Sequence, residues 1–219
     1  MKEELKIIVP FGKPCSGKDT QSEKLLNFLD ASIKISTGEI LRSAQNQEGE
    51  FKEYYEDLKA DFEEVNKGGY IKDEHILGVV KKVLAKYLLE GKRTFVFSGF
   101  PRTIPQEEIF GEMLNELSSK FNITRKNFLL NVSDETARER SQKRINENIK
   151  DGIPPRPEDM GENFEIRLTK FKEKTEPLIS HLKEKNNLIV VDGSLPPEEV
   201  FPEIYLHLEG FQSGKERFL

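Results

Sequence analysis

The sequence has no tryptophan, one cysteine and no apolar run longer than a single buried strand requires. With Cys15 alone, an intramolecular disulfide and any multi-cysteine zinc site are excluded, a usage that fits a reducing compartment. Nothing approaches the roughly 20 consecutive apolar residues of a membrane span. Met1-Lys-Glu-Glu leads into an apolar stretch, Leu5 to Phe11, that is too short and too acidic at its flank for a signal peptide. The expectation is a protein neither exported nor embedded, cytoplasmic by default. An excess of positive charge is missing too. Lys and Arg number 34 against 39 Asp and Glu, a net charge of -5, which argues against a nucleic-acid partner bound through its phosphates. Internal repeats, low-complexity tracts and linkers are also lacking.

Hydrophobic residues make up 36% and charged residues 33%, a soluble surface around a moderate interior rather than a disordered composition. At 219 residues one core domain is expected. Apolar runs recur at Leu5 to Val9, Thr94 to Phe97, Phe128 to Val132 and Leu188 to Val191, each followed closely by Gly, Ser or Asp, and read as buried strands. Between them lie helical patterns. The clearest is Ile76, Val80, Val83, Leu84 and Tyr87, whose spacing puts all of them on one helix face. Strands alternating with helices predict a parallel α/β sheet, in which ligands bind beyond the carboxyl ends of the strands. Gly152-Ile-Pro-Pro-Arg-Pro157 reads as an exposed loop between two helices.

Chemistry does fall at the strand ends. After the first strand comes Gly12-Lys-Pro-Cys-Ser-Gly17-Lys18-Asp19-Thr20, with the spacing of a phosphate-binding loop. Such a loop turns into a helix N-terminus, so backbone N–H groups and the helix dipole face the polyphosphate while Lys18 adds a mobile charge. An amphipathic helix with Leu25, Leu26 and Leu29 follows, which makes a plain glycine turn a poor alternative. The loop alone does not separate kinases from GTPases or ATPases.

The loop continues into Asp19-Thr20-Gln21, and the chain goes on through Ile35-Ser-Thr-Gly-Glu-Ile-Leu-Arg42, Asn66-Lys-Gly-Gly-Tyr-Ile-Lys-Asp-Glu74, Gly99-Phe-Pro-Arg-Thr-Ile-Pro-Gln106, Thr175-Glu-Pro-Leu-Ile179 and Val191-Asp-Gly193. In type and order these motifs, spanning about residues 5 to 208, resemble those of the adenylate kinases. The resemblance implies a three-layer P-loop NTPase core with about five parallel strands, carrying a helical AMP-binding excursion and a short lid. The core would be residues 1–35, 73–143 and 161–208, the excursion 36–72 and the lid 144–160, with a tail 209–219 that carries no readable signal.

It further implies ATP held by Cys15, Ser16, Gly17, Lys18, Asp19, Thr20, Arg140, Arg144 and Leu195, with Arg140 stacked on the adenine. AMP would be held by Thr37, Arg42, Gly69, Tyr70, Ile71, Gly99, Phe100, Arg102, Gln106, Arg156 and Arg167. The arginines have a physical warrant, since planar guanidinium forks match a dianionic phosphate. Arg140 and Arg144 lie one helical turn apart, and Arg156 and Arg167 follow across the Pro-rich loop. With Lys18 and Arg102 they form the expected catalytic set, because phosphoryl transfer is mostly positioning and charge stabilisation. Arg138 and Lys143 read as an ordinary charged helix face. An amide at Gln106 can both accept from an adenine amino group and donate to a ring nitrogen. The expected activity is reversible transfer from ATP to AMP by a monomer using Mg²⁺, with closure of the lid excluding water. The alternatives are a UMP, CMP or GMP kinase and a weakly catalytic nucleotide-binding relative. The segment 145–155 has no Cys or His, so no zinc is expected there.

The chain departs from the family pattern in three places. Cys15 and Asp19 stand where Gly is usual, and Ser98 where an aspartate usually precedes Gly-Phe-Pro-Arg. That aspartate helps hold the water shell of Mg²⁺. Asp19 directly follows the loop lysine, where other phosphate-loop proteins place a Mg²⁺-ligating Ser or Thr, and is the candidate substitute; its competing role is to favour the helix N-terminus. Cys15 reads as a small residue tolerated where the backbone does the binding.

Overall fold

Along Glu3–Phe11 (β1) the side chains divide between two hydrophobic clusters, Leu5, Ile7, Val9 and Phe11 in one and Ile8 in the other. Thr94–Ser98 (β3) repeats the division with Phe95 and Phe97 against Val96, and Phe121–Asn131 (β4) with Leu129 against Phe128 and Leu130. A strand buried on both faces has no polar alternate positions, and such strands belong to parallel sheets covered on both sides. The computed structural model, which describes residues 2–208, has this sheet: five strands, all parallel, in the order β2-β3-β1-β4-β5, where β2 is Ser32–Ser36 and β5 is Ile189–Asp192. The expected tail 209–219 lies outside the described residues.

One face of the sheet packs Leu25 and Leu29 of the segment at α1 (Lys18–Phe28) and Val200 and Ile204 of α10 (Pro197–Leu206). The other packs α5 (Asp73–Leu89), α6 (Ile104–Leu117) and α9 (Glu176–Glu184). The stripe read from the sequence, Ile76, Val80, Val83, Leu84 and Tyr87, is buried there together with Leu77 and Val79. The three-layer α/β architecture expected from the sequence is the one found.

The segment 36–72 folds as α2 (Thr37–Asn46) and two short helices, α3 (Tyr55–Leu58) and α4 (Phe62–Asn66), and its Ile40, Leu41, Phe51, Tyr54 and Leu58 are buried in the same cluster as α5. Arg144 lies inside α7 (Asp134–Lys150), and the Pro-rich segment forms the loop between α7 and α8 (Gly161–Lys170), with one tight turn at Pro157–Asp159. Phe164 and Leu168 of α8 pack with Val132 and Ala137, tying the two stems together. One strand starts far ahead of its apolar run: β4 begins at Phe121, not Phe128, and pairs with β1 from Glu3↔Phe121 onward. Its first residues alternate partly buried and exposed and include Asn122, Thr124, Arg125 and Lys126, so backbone pairing extends it where hydrophobicity does not.

Candidate active site

The turn after β1 folds back on itself through Ser16 N–H donating to Lys13 O at 3.1 Å. A Cβ at Gly12 would press on the Ser16 side chain and come within 3.0 Å of Leu130 O, so the bare backbone is needed there. Cys15 takes the left-handed conformation, φ 59°, that glycine adopts freely, which gives a physical meaning to the glycine usual at this place. Its Sγ accepts from Arg144 Nη2 at 3.1 Å. α1 starts behind Gly17 with no side-chain cap, so the N–H groups of its first turn remain available to an anion.

Lys18 and Asp19 sit at the mouth of this loop. Burial pushes the Lys18 ammonium below its ordinary 10.5; Asp19 pulls it up, and Arg167 and Arg102 push it down again. An anion placed among these cations would relieve that crowding. Asp19 lies on the exposed wall of the cleft. The protein around its carboxyl raises the pKa, but Lys18, the Ser98 hydroxyl, Lys34 and Arg42 together hold it well below the usual carboxylate range. Ser98 Oγ donates to Asp19 Oδ1 at 2.5 Å.

A first cleft opens on this loop. It is lined by Cys15, Gly17, Lys18, Asp19 and Thr20 on one wall and by Arg140, Arg144, Arg167 and Leu195 on the other, which brings together nearly all of the residues expected to hold ATP. Ser16, the remaining one, is 1% exposed, has an unpartnered Oγ, and offers its carbonyl to Arg140 Nη1 at 3.2 Å. Arg140 Nη2 also donates to Ser194 O at 3.0 Å, which joins α7 to the turn after β5. Lys143, set aside as a surface residue, and Ser194, Pro196 and Pro197 also line this cleft. Arg138 pairs instead with Glu165, Nε to Oε1 at 2.6 Å.

A second cleft lies between α2, the segment 69–71 and the end of β3. It is lined by Thr37, Arg42, Gly69, Tyr70, Ile71, Gly99, Arg102, Gln106 and Arg167, with Leu41, Val65 and Ile76 as apolar wall. Arg102 is held from several directions. Its Nε donates to Gly99 O at 2.7 Å, its N–H donates to Gln106 Oε1 at 2.7 Å, and its guanidinium lies 4.6 Å from the Tyr70 ring centroid. Tyr70, expected only as a backbone contact, thus also sets its ring against Arg102. Gln106 Nε2 donates to Asp73 Oδ1 at 2.6 Å, so one N–H and one lone pair of that amide are engaged and one of each remains. Thr37 Oγ1 donates to Gly99 O at 2.9 Å and keeps its acceptor side. Phe100 is different: its ring is 1% exposed and packs on Phe97 and Phe110, and the residue lines the space next to Lys18 and Arg102 but not the second cleft in which it was expected.

The two clefts meet. Lys18, Arg102 and Arg167 together line a narrow space between them, with Arg167 common to all three. Arg156, expected on the AMP phosphate, lines neither cleft nor the space between them, and only its charge reaches the site: burial lowers the Arg42 pKa, and the charge of Arg156 lowers it further, while Glu158 opposes. Glu158 Oε1 is 3.6 Å from Arg42 Nη1, and Asp159 pairs with Arg144 Nη2 and Arg167 Nη1, each at 2.6 Å. These two acids escaped the sequence reading because the cations alone were read as functional; two carboxylates directly after Arg156-Pro157 were the available signal. Among the described residues no group of three or more His, Cys, Asp or Glu could hold a metal ion, and no helix is long and apolar enough to cross a membrane.

A sequence model described as adenylate kinase matches residues 10–187. The adenylate kinase of Nitrobacter hamburgensis is 30% identical over 202 residues, 92% of this chain and 91% of that protein. Those of Methanosarcina barkeri and Brucella anthropi are each 31% identical, covering 93% and 90% of this chain and 99% and 95% of their own lengths. The family match runs from the end of β1 through the phosphate loop, the second cleft and the arginine-bearing loop to the end of α9, so the resemblance carried by the motifs is one of descent as well as of pattern: the chain belongs to the adenylate kinase family and is a nucleoside monophosphate phosphotransferase.

Proposed function

We propose that the protein catalyses reversible transfer of the γ-phosphoryl group of ATP to AMP, giving two ADP. The observation that carries this reading is the junction of the two clefts. One cleft ends in a phosphate loop, the other in Arg42 and Arg102, and Lys18, Arg102 and Arg167 share the space between. A phosphoryl group passing in line between two bound nucleotides spreads negative charge over its oxygens, and cations already fixed around that path stabilise it without reorganising.

In this reading Lys18 and the N–H groups of the loop and α1 hold the triphosphate, and Arg140, Arg144 and Leu195 close over the ATP base and phosphates. Arg42 and Arg102 hold the AMP phosphate, aided by Arg156 and Arg167. The free N–H and lone pair of Gln106, the Thr37 hydroxyl and the backbone of 69–71 read adenine. Mg²⁺ supplies charge neutralisation at the phosphates when bound; it keeps most of its waters and needs few protein oxygens, which fits a cleft whose wall offers Asp19. The excursion 36–72 and lid 144–160 close over the core 1–35, 73–143 and 161–208, excluding water as a competing acceptor. Both clefts are lined by residues of one chain, which supports a working monomer, and a single cysteine fits a reducing compartment such as the cytoplasm.

The test is ADP formation from ATP with AMP, UMP, CMP or GMP over a Mg²⁺ titration, with an acceptor-free control. Turnover with AMP above the other acceptors is the expected result. Transfer to UMP or CMP in preference, or binding without transfer, refutes the assignment.

A further inference from the structure

Asp19 and Ser98 lie 79 positions apart in sequence, yet Ser98 Oγ donates to Asp19 Oδ1 at 2.5 Å. Asp19 is in the first turn of α1, directly after the loop lysine; Ser98 is the last residue of β3, the strand paired with β1. In phosphate-loop proteins generally, the residue after the lysine is a Ser or Thr that ligates Mg²⁺, and an aspartate from elsewhere in the fold completes the metal site. Here the hydroxyl and the carboxylate are both present and in contact, but each occupies the other's place in the chain. We propose that Asp19 is the carboxylate that holds the water shell of the nucleotide-bound Mg²⁺, and that Ser98 is the positioning residue that aims it; this rests on the reading of the first cleft as the ATP site.

The placement of Asp19 argues the same way. A carboxylate at the mouth of an anion-binding loop repels a polyphosphate. Asp19 is nonetheless exposed on the cleft wall beside Lys18, and its Oδ2 makes no hydrogen bond or ion pair with a described residue. An acid serving the helix dipole alone has no need of a second-strand hydroxyl fixing its rotamer, and it would oppose nucleotide binding. A divalent cation between carboxylate and phosphate turns that repulsion into attraction. The arrangement makes Asp19 unfavourable to metal-free ATP and favourable to Mg²⁺-ATP.

The experiment measures, by calorimetry on the full chain, the affinity for a non-hydrolysable ATP analogue with Mg²⁺ and with EDTA. The ratio of the two dissociation constants is the metal enhancement. Asp19→Asn keeps the size of the side chain and an acceptor for Ser98 but removes the charge. It is expected to bind the metal-free analogue more tightly, the Mg²⁺ complex more weakly, and to lose about tenfold or more of the enhancement. Asp19→Gly combined with Ser98→Asp is expected to recover it. An Asp19→Asn protein with the wild-type enhancement, or one weakened equally with and without metal as a structural role predicts, overturns the proposal. So does a folded double variant that recovers nothing, and the single variant decides where the double one does not fold. Wild-type ADP formation from ATP and AMP is scored separately. Its absence sinks the kinase reading, whereas an unchanged enhancement in an active enzyme sinks this inference alone.

Discussion

Asp159 stands between two of the arginines that the proposed chemistry uses, and replacing it with asparagine tests that placement. Its side chain is 1% exposed and pairs with Arg144 and Arg167 at 2.6 Å each, while its backbone carbonyl accepts from Ser141 Oγ at 3.2 Å. Removing one partner of a buried ion pair costs about 3–5 kcal/mol, because the remaining charge is left uncompensated. The arginine side chains are 28% and 18% exposed, so water recovers part of that loss. About 2–3 kcal/mol is the expectation for Asp159→Asn. In a protein of this length that corresponds to a melting temperature lower by roughly 4–12 °C. The assay is thermal unfolding followed by circular dichroism, with and without ATP. A triphosphate supplies the negative charge that the variant lacks, so ATP is expected to raise the melting temperature of Asp159→Asn by more than it raises that of the wild type. A variant that melts within about 1 °C of wild type would refute the premise that this carboxylate is buried against both cations. A stability loss with an ATP shift equal to the wild-type one would refute the argument that Asp159 and phosphate satisfy the same arginines.

Gly99 has φ 77°, and a Cβ there would lie 2.6 Å from Thr37 Oγ1 and 2.9 Å from Arg102 Nη2; Gly99→Ala, with strain of about 1–3 kcal/mol, is expected to raise the KM for AMP by roughly tenfold or more while sparing that for ATP, as steady-state kinetics will show. Tyr70→Leu removes the ring from beneath Arg102, a contact of about 0.5–1 kcal/mol, and should raise the KM for AMP roughly two- to fivefold, with Tyr70→Phe recovering most of it. Asp134 is held down to about 2 from its ordinary 3.8, chiefly by the Lys13 ammonium 2.6 Å from its Oδ1 and then by a hydrogen bond from Lys172. A carboxyl lowered in the folded state contributes stability above the unfolded value and loses it as pH falls through the folded one. Urea denaturation of Asp134→Asn should therefore show a flatter loss of stability between pH of about 4 and about 2 than the wild type; identical slopes would show that these contacts do not survive in solution.

Much of the site was legible because its chemistry is local. The spacing from Gly12 to Lys18 needs only a strand, a turn and a helix start, and Arg42 and Arg102 sit in motifs whose neighbours name them. Residues whose role depends on a distant partner were not legible in the same way. Asp159 reads as one more loop acid until α7 and α8 bring Arg144 and Arg167 to it, and Lys143 reads as surface until its helix leans over the first cleft. The polar start of β4 was invisible because backbone pairing to β1, not apolar burial, makes it a strand.

By itself, then, the order of residues determined the alternation of buried strands and amphipathic helices, the phosphate loop and the positions of the arginines, since periodicity and short-range turn chemistry act over a few residues. Tertiary structure alone decided that Lys18, Arg102 and Arg167 line one space between the loop and the arginine cleft, that Glu158 pairs with Arg42 and Asp159 with Arg144 and Arg167, and that Ser98 reaches Asp19. The reason is physical: charge pairing and hydrogen bonding act over a few ångströms in space, and only the packing of helices on a parallel sheet brings residues this far apart in the chain within that range.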